Sequence, residues 1–148
     1  HYFITANLEE AAGIDRGTAG PGCSRTGTTF KAWLDGPIPA AAEVCRFYGT
    51  PGRGPNSHFY TTISAECVSV KQDPGWTYEQ LGRFWLVRAT TNTPAGCPAG
   101  TQAIYRVYNN RFFPFNDSNH RYITELSVYN HMLSLGWLGE GVVMCAPL

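Results

Sequence analysis

Three histidines recur in this chain in similar company. His1, His58 and His120 each stand two residues before an aromatic and four before a threonine: Phe3 and Thr5, Tyr60 and Thr62, Tyr122 and Thr124. Further on comes a Gly followed by Cys23, Trp76 or Trp137, and Glu79 and Glu140 each follow their Trp by three residues. A chain starting with His offers its amino group and ring to copper, with His58, His120 or His131 as a further donor, the ligand set of a secreted copper oxidase. Because His58 and His120 have no free amino group, a role common to all three must work through the ring. Either the ring packs on the Trp and bonds the Glu of its own unit, or it faces a ligand.

Other chemistry finds less support. Paired carboxylates for glycoside hydrolysis would come from Glu79, Glu140 and Asp117, but the two glutamates occupy equivalent places in different units, which sets them too far apart for one bond. Asn116, Asp117 and Asn119 are thin ligation for calcium. Cys23 as a nucleophile would need a lowered pKa and a neighbouring base. The chain has no G-x-S-x-G elbow, no H-E-x-x-H and no phosphate-binding Gly loop. No catalytic residue, metal site or cofactor is assigned. The residues best suited to a ligand are Asn56, His58, Tyr60, Trp76 and Glu79 in one stretch and Asn119, His120, Tyr122, Trp137 and Glu140 in another. Amides beside aromatic rings supply the donors, acceptors and flat faces that a sugar needs. The loop from Tyr108 to Asp117 adds Phe112, Phe113 and Phe115, either as a lid folded over the core or as an exposed platform; the rarity of large exposed patches favours the lid.

The elements that must position these residues are short. Segments His1–Thr5, His58–Thr62 and Phe84–Val87 are aromatic and β-prone, and Val142–Met144 reads as a closing strand. Ser64–Gln72 turns helical with Glu66 early, where the helix dipole favours an acid. Asn7 and Glu10 form a capping box, Thr124 is placed to cap a helix through Val128, Met132 and Leu135, and Gly136 suits the left-handed position beyond it. Each unit reads as strand, loop, strand, helix, turn, strand. The expected fold is α+β and strand-dominated: three β-β-α-β repeats in one compact pseudo-threefold domain over 1–148, with units of about 1–36, 37–97 and 98–148. The first repeat lacks its leading strand.

Composition narrows the partners. The chain has 148 residues, 43% hydrophobic, with 11 basic and 11 acidic side chains and zero net charge, so nothing draws in nucleic acid. No apolar run is long enough to span a membrane. Five cysteines without C-x-x-C spacing indicate disulfides and an extracellular or periplasmic setting.

At Val44–Gly49, Asn56–Thr61 and Gly75–Gln80, and again at Ile104–Asn109, Asn119–Ile123 and Gly136–Gly141, the chain resembles a repeat family of secreted bacterial and fungal proteins. Its signature runs V-Y-R-F-Y-N, N-x-H-F-Y-T and G-W-x-Y-E-G. The stretch from His1-Tyr2-Phe3-Ile4-Thr5 to Arg25-Thr26-Gly27 resembles the first unit of proteobacterial members. The resemblance implies a repeat of unknown function often attached to secreted hydrolases or peptidoglycan-active enzymes, with no catalytic residues to carry over. Cys23 stands where the repeat has Trp and Thr26 where it has Glu, marking the first unit as divergent. Repeat geometry pairs Cys45 with Cys67 and Cys97 with Cys145, and leaves Cys23 free. The expected function is a monomeric, non-catalytic module that attaches a larger secreted protein, with its catalytic domain, to a polysaccharide or cell-wall glycan. The alternatives are a structural or protein-contacting domain and a secreted enzyme, either a copper oxidase at His1 or a hydrolase.

Overall fold

The structure is a computed structural model and describes residues 1–19, 22–34 and 40–148. The expected boundary between the first and second units, at 36/37, lies outside the described residues. Helix α1 spans Leu8–Asp15, and the Asn7 side chain accepts from the Glu9 and Glu10 amides at 2.9 and 3.0 Å, satisfying donors that a helix start leaves orphaned. Helix α2, Ser64–Gln72, carries Glu66 in its first turn as expected. Helix α3 is Leu126–Ser134, and its cap differs from expectation. The Thr124 hydroxyl donates to the Glu125 carboxylate at 2.8 Å instead of capping, so the helix begins without a side-chain cap. Beyond its end Gly136 adopts φ +88°, the left-handed turn that favours glycine.

Among the described residues eight strands, all antiparallel, form two sheets: β1 (Ala41–Glu43), β2 (Cys45–Gly49), β3 (His58–Thr61), β4 (Trp76–Glu79), β5 (Trp85–Arg88), β6 (Thr101–Tyr108), β7 (His120–Ile123) and β8 (Leu138–Pro147). Their orders are β3-β2-β4 and β1-β5-β8-β6-β7. The fold is α+β and strand-dominated. Val44, buried between β1 and β2, donates its amide to Phe84 O, so one run of chain serves both sheets. In each sheet a leading strand lies between the strand before its helix and the strand after it, with matching register. Arg46 faces Tyr60 and Tyr48 faces His58, as Arg106 faces Tyr122 and Tyr108 faces His120.

The segment His1–Thr5 forms no strand. Its backbone is held by a side chain instead: the Ile4 amide donates to the Tyr60 hydroxyl at 2.9 Å, and that hydroxyl donates to Ile4 O at 2.7 Å. A phenol is both donor and acceptor, so one ring replaces a rung of the missing ladder. Tyr122 treats Tyr60 in the same way, with both bonds at 2.8 Å. These bonds make Ile4 the counterpart of Tyr60 and Tyr60 that of Tyr122. Tyr2, not His1, therefore stands where His58 and His120 stand. The shared histidine spacing is offset by one residue at its first occurrence.

The interior is built from the inward faces of both sheets. Tyr60, Leu86, Ile104, Tyr122 and Met144 are buried together with Phe3 and Ile4 against them, while Val107, Ile123 and Met132 pack under α3. Disulfides join Cys45 to Cys67 and Cys97 to Cys145, with Cys23 unpaired and exposed, which is the expected pattern. No described helix is long and apolar enough to cross a membrane.

Candidate functional site

Two buried arginines organise the polar interior. Arg46 on β2 donates through Nη1 and Nη2 to the Glu10 carboxylate at 2.9 and 2.7 Å, and through Nε to Glu79 at 2.8 Å. Arg106 on β6 binds Glu66 through Nη1 and Nη2 at 3.0 Å each and Glu140 through Nε at 2.8 Å. Each arginine thus ties the first turn of the preceding helix to the closing strand of its own sheet. A threonine completes each pair: Thr5 donates to Glu10 and Thr61 to Glu66. Each guanidinium also stacks on a phenylalanine, Phe3 at 4.9 Å and Phe59 at 5.0 Å. Hydrogen bonds from Arg46 hold Glu10 below the usual carboxylate range despite partial burial. Burial alone would raise Glu66, but Arg106 and Thr61 outweigh it and keep it low. Both carboxylates are charged at neutral pH, and neither is prepared as a general acid.

The two histidines on β3 and β7 sit beside these clusters. His58 Nε2 lies 3.2 Å from Glu79, and its ring packs on Phe3 at 4.7 Å and Tyr48 at 4.8 Å. His120 stacks on Tyr108 at 4.7 Å and meets Phe59 edge-on at 5.0 Å. The neighbouring rings are thus Tyr and Phe rather than the expected Trp. Burial lowers His58, and burial with Arg106 nearby drives His120 down to about 3. His120 Nε2 is 3.7 Å from Glu140, too long for a hydrogen bond, and its Nδ1 is buried without a partner. His1 has different surroundings: it is partly exposed and bonds Asp117 at 2.9 Å. Among the described residues, no three His, Cys, Asp or Glu side chains gather as metal ligands would.

The candidate ligand residues divide by exposure. Tyr60, Asn119, His120 and Tyr122 are buried, and His58, Trp76, Glu79, Trp137 and Glu140 are partly covered. Trp76 packs on Phe59 and Trp137 edge-on to Tyr2. Asn56 and Phe113 face solvent. Phe113 is 88% exposed, Phe115 64% and Phe112 49%, so their loop is a platform and not the expected lid. What holds them outward is the polar frame beneath. Asn109 donates to Asp117 O at 2.6 Å and accepts from the Asn119 amide at 2.9 Å, while Arg111 pairs with Asp117 at 3.2 Å and stacks on Phe115 at 5.1 Å. Asn116 donates to Gly54 O at 3.2 Å, joining this loop to the one that carries Asn56. Asn56 in turn accepts from the Tyr48 hydroxyl at 2.6 Å. These bonds fix the loop's backbone on both sides of the phenylalanines, at Asn109 and at Asn116 and Asp117.

A concavity lies on the Arg106 cluster. A cleft of about 350 Å³ is lined by Glu66, Arg106 and Glu140 together with Ile63, Arg88, Thr90 to Asn92 and Val142. Sequence reasoning missed Glu10, Glu66, Arg46 and Arg106 as site residues. A signal was present in Thr5 and Glu10, repeated as Thr61 and Glu66 at the same spacing, and in an arginine at the same place of both leading-strand motifs.

Searches of curated proteins and of solved structures return no match. The family model described as "Domain of unknown function (DUF5648)" matches residues 1–147, which cover the Phe-bearing loop, both arginine clusters and both disulfides. On that match, the chain belongs to the DUF5648 family.

Proposed function

We propose that this chain is a non-catalytic extracellular binding module whose contact surface is the paired loops carrying Asn56 and Phe112 to Phe115, and whose ligand is a polysaccharide or cell-wall glycan. The observation that carries this reading is Phe113, 88% exposed on a loop that its own hydrogen bonds hold open. An aromatic face on this loop gives a sugar ring's C–H groups a flat surface, and the Asn56 amide on the adjoining loop answers the hydroxyls. Two disulfides agree with an oxidising compartment.

The body is read as three related β-β-α-β units about a pseudo-threefold axis. The matched registers in β2–β3 and β6–β7 support this, as does the tyrosine contact repeated from Ile4 to Tyr60 to Tyr122. Weak sites on such a body would add up on a repetitive polymer, and a catalytic domain in the same secreted protein would be held near its substrate. The test is retention of the folded domain on insoluble glucans, chitin and peptidoglycan, with Phe113→Ser beside it. Retention of the native chain that Phe113→Ser loses is the expected result. A native chain that washes through every polymer, or a variant retained equally well, overturns the reading.

A further inference from the structure

The two arginine clusters have the same parts and differ in what lies over them. Over Arg46 the chain turns at Gly82, φ +68°, so closely that a Cβ there would lie 3.0 Å from Glu10 Oε2 and 3.1 Å from both Arg46 Nη1 and Thr5 Oγ1. Backbone caps that cluster. Past Glu140, β8 runs on through Val142 to Pro147, and the Asn92 backbone, whose carbonyl accepts from the Val142 amide at 2.9 Å, approaches this edge. The face over Arg106 opens into the cleft, where the Glu66 and Glu140 side chains are 32% and 31% exposed, against 19% and 27% for Glu10 and Glu79.

The geometry points to this cleft as a binding site for a neutral, hydroxyl-rich ligand, a sugar unit standing where Gly82 stands in the other cluster. Charge excludes the obvious alternatives. Glu66, Glu140, Arg106 and Arg88 sum to zero, so neither a cation nor an anion gains a net attraction. Unused acceptor capacity is present, because each carboxylate oxygen offers two acceptor sites. Among the described residues, Glu66 Oε1 accepts only from Arg106 Nη2 at 3.0 Å, and Glu140 Oε1 only from the same atom at 3.2 Å. Hydroxyl donors would complete both with charge-assisted bonds. Arg88 is exposed on β5 and forms no ion pair among the described residues, so its guanidinium is free to donate to ring or hydroxyl oxygens. Ile63 and Val142 supply the apolar wall for C–H groups, and the volume falls at the small end of ligand pockets. The site uses none of the Phe112–Phe115 loop and does not depend on it.

The experiment is an NMR titration of the isotope-labelled native chain with neutral disaccharides of glucose, galactose and N-acetylglucosamine. Saturable shifts at the amides of Thr90, Thr91, Asn92 and Val142 are expected with at least one of them. They should persist in Phe113→Ser, and Thr91→Trp, which fills the cleft from its exposed rim, should weaken binding by about tenfold or more, ~1.4 kcal/mol. Arg88→Ala, on an exposed side chain, should weaken it too and serves if the tryptophan variant does not fold. No saturable shift at these amides with any sugar, or shifts abolished by Phe113→Ser, overturns the inference. Retention on insoluble polymers through Phe113 is read separately, so the two conclusions can fail independently.

Discussion

Acidification from pH 7 to pH 5 should remove about 2 kcal/mol of stability through His120. In the folded chain this ring is 9% exposed, burial and Arg106 oppose its protonation, and its pKa falls from 6.5 to about 3. The unfolded chain restores the ordinary value. At pH 5 the unfolded ring is ~97% protonated and the folded ring ~1%, so the unfolded state binds almost one more proton. A group depressed by folding contributes its full stability above the unfolded value of 6.5 and loses it as pH falls toward the folded value. Integrating from 7 to 5 yields ~2 kcal/mol, nearly the same if the folded value is a unit higher. His58, also lowered by burial, adds in the same direction. Glu10 and Glu66, lowered from 4.5, act mainly at more acidic pH. The assay is urea unfolding at both pH values for the native chain and for His120→Phe, which keeps an aromatic ring against Tyr108 and Phe59. The native chain should lose ~2 kcal/mol or more and the variant clearly less. An identical pH slope in the variant, or a His120 ring that titrates near 6.5 in the folded protein by NMR, would refute the reasoning.

Other expectations are simpler to state. Arg106→Met strands two carboxylates that it now binds and should cost ~3–5 kcal/mol by chemical denaturation; a loss under 1 kcal/mol would show that water replaces the guanidinium. Phe113→Ser removes an exposed side chain and should change stability by less than ~0.5 kcal/mol, so a marked fall in Tm would mean the ring packs after all. Opening Cys97–Cys145, with 48 residues of separation, should destabilise by ~4 kcal/mol and opening Cys45–Cys67, with 22, by ~3 kcal/mol, judged by unfolding of the paired Cys→Ser variants; a reversed order would count against the loop-entropy account.

Local features were legible because their causes are local. Asn7 caps α1 since its side chain needs only the two amides that follow it, and Ser64–Gln72 becomes helical between a threonine-rich start and Pro74-Gly75. Cys45–Cys67 followed from a strand and the helix after it, and Cys97–Cys145 from the ends of the last strand-loop and the last strand. The histidine alignment erred by one residue because spacing along the chain was counted from His1, whereas the bonds of Ile4 with Tyr60 and of Thr5 with Glu10 decide which residues correspond. For this loop, composition and the rarity of large exposed apolar patches favour a lid. Its exposure depends on Asn109, Asp117 and the distant Gly54, which act together only once the two loops meet.

Sequence by itself determined the short-range grammar: strand and helix types and turn glycines, each set by neighbours a few residues away. Tertiary structure alone decided that Arg46 reaches Glu10 and Arg106 reaches Glu66, pairs separated by 36 and 40 residues, and that a turn at Gly82 lies over one cluster and a cleft over the other. Burial and charge pairing depend on which surfaces pack together. That is a property of the assembled sheets, and it is what separates a solvent-facing phenylalanine from a core one and a covered carboxylate from one able to meet a ligand.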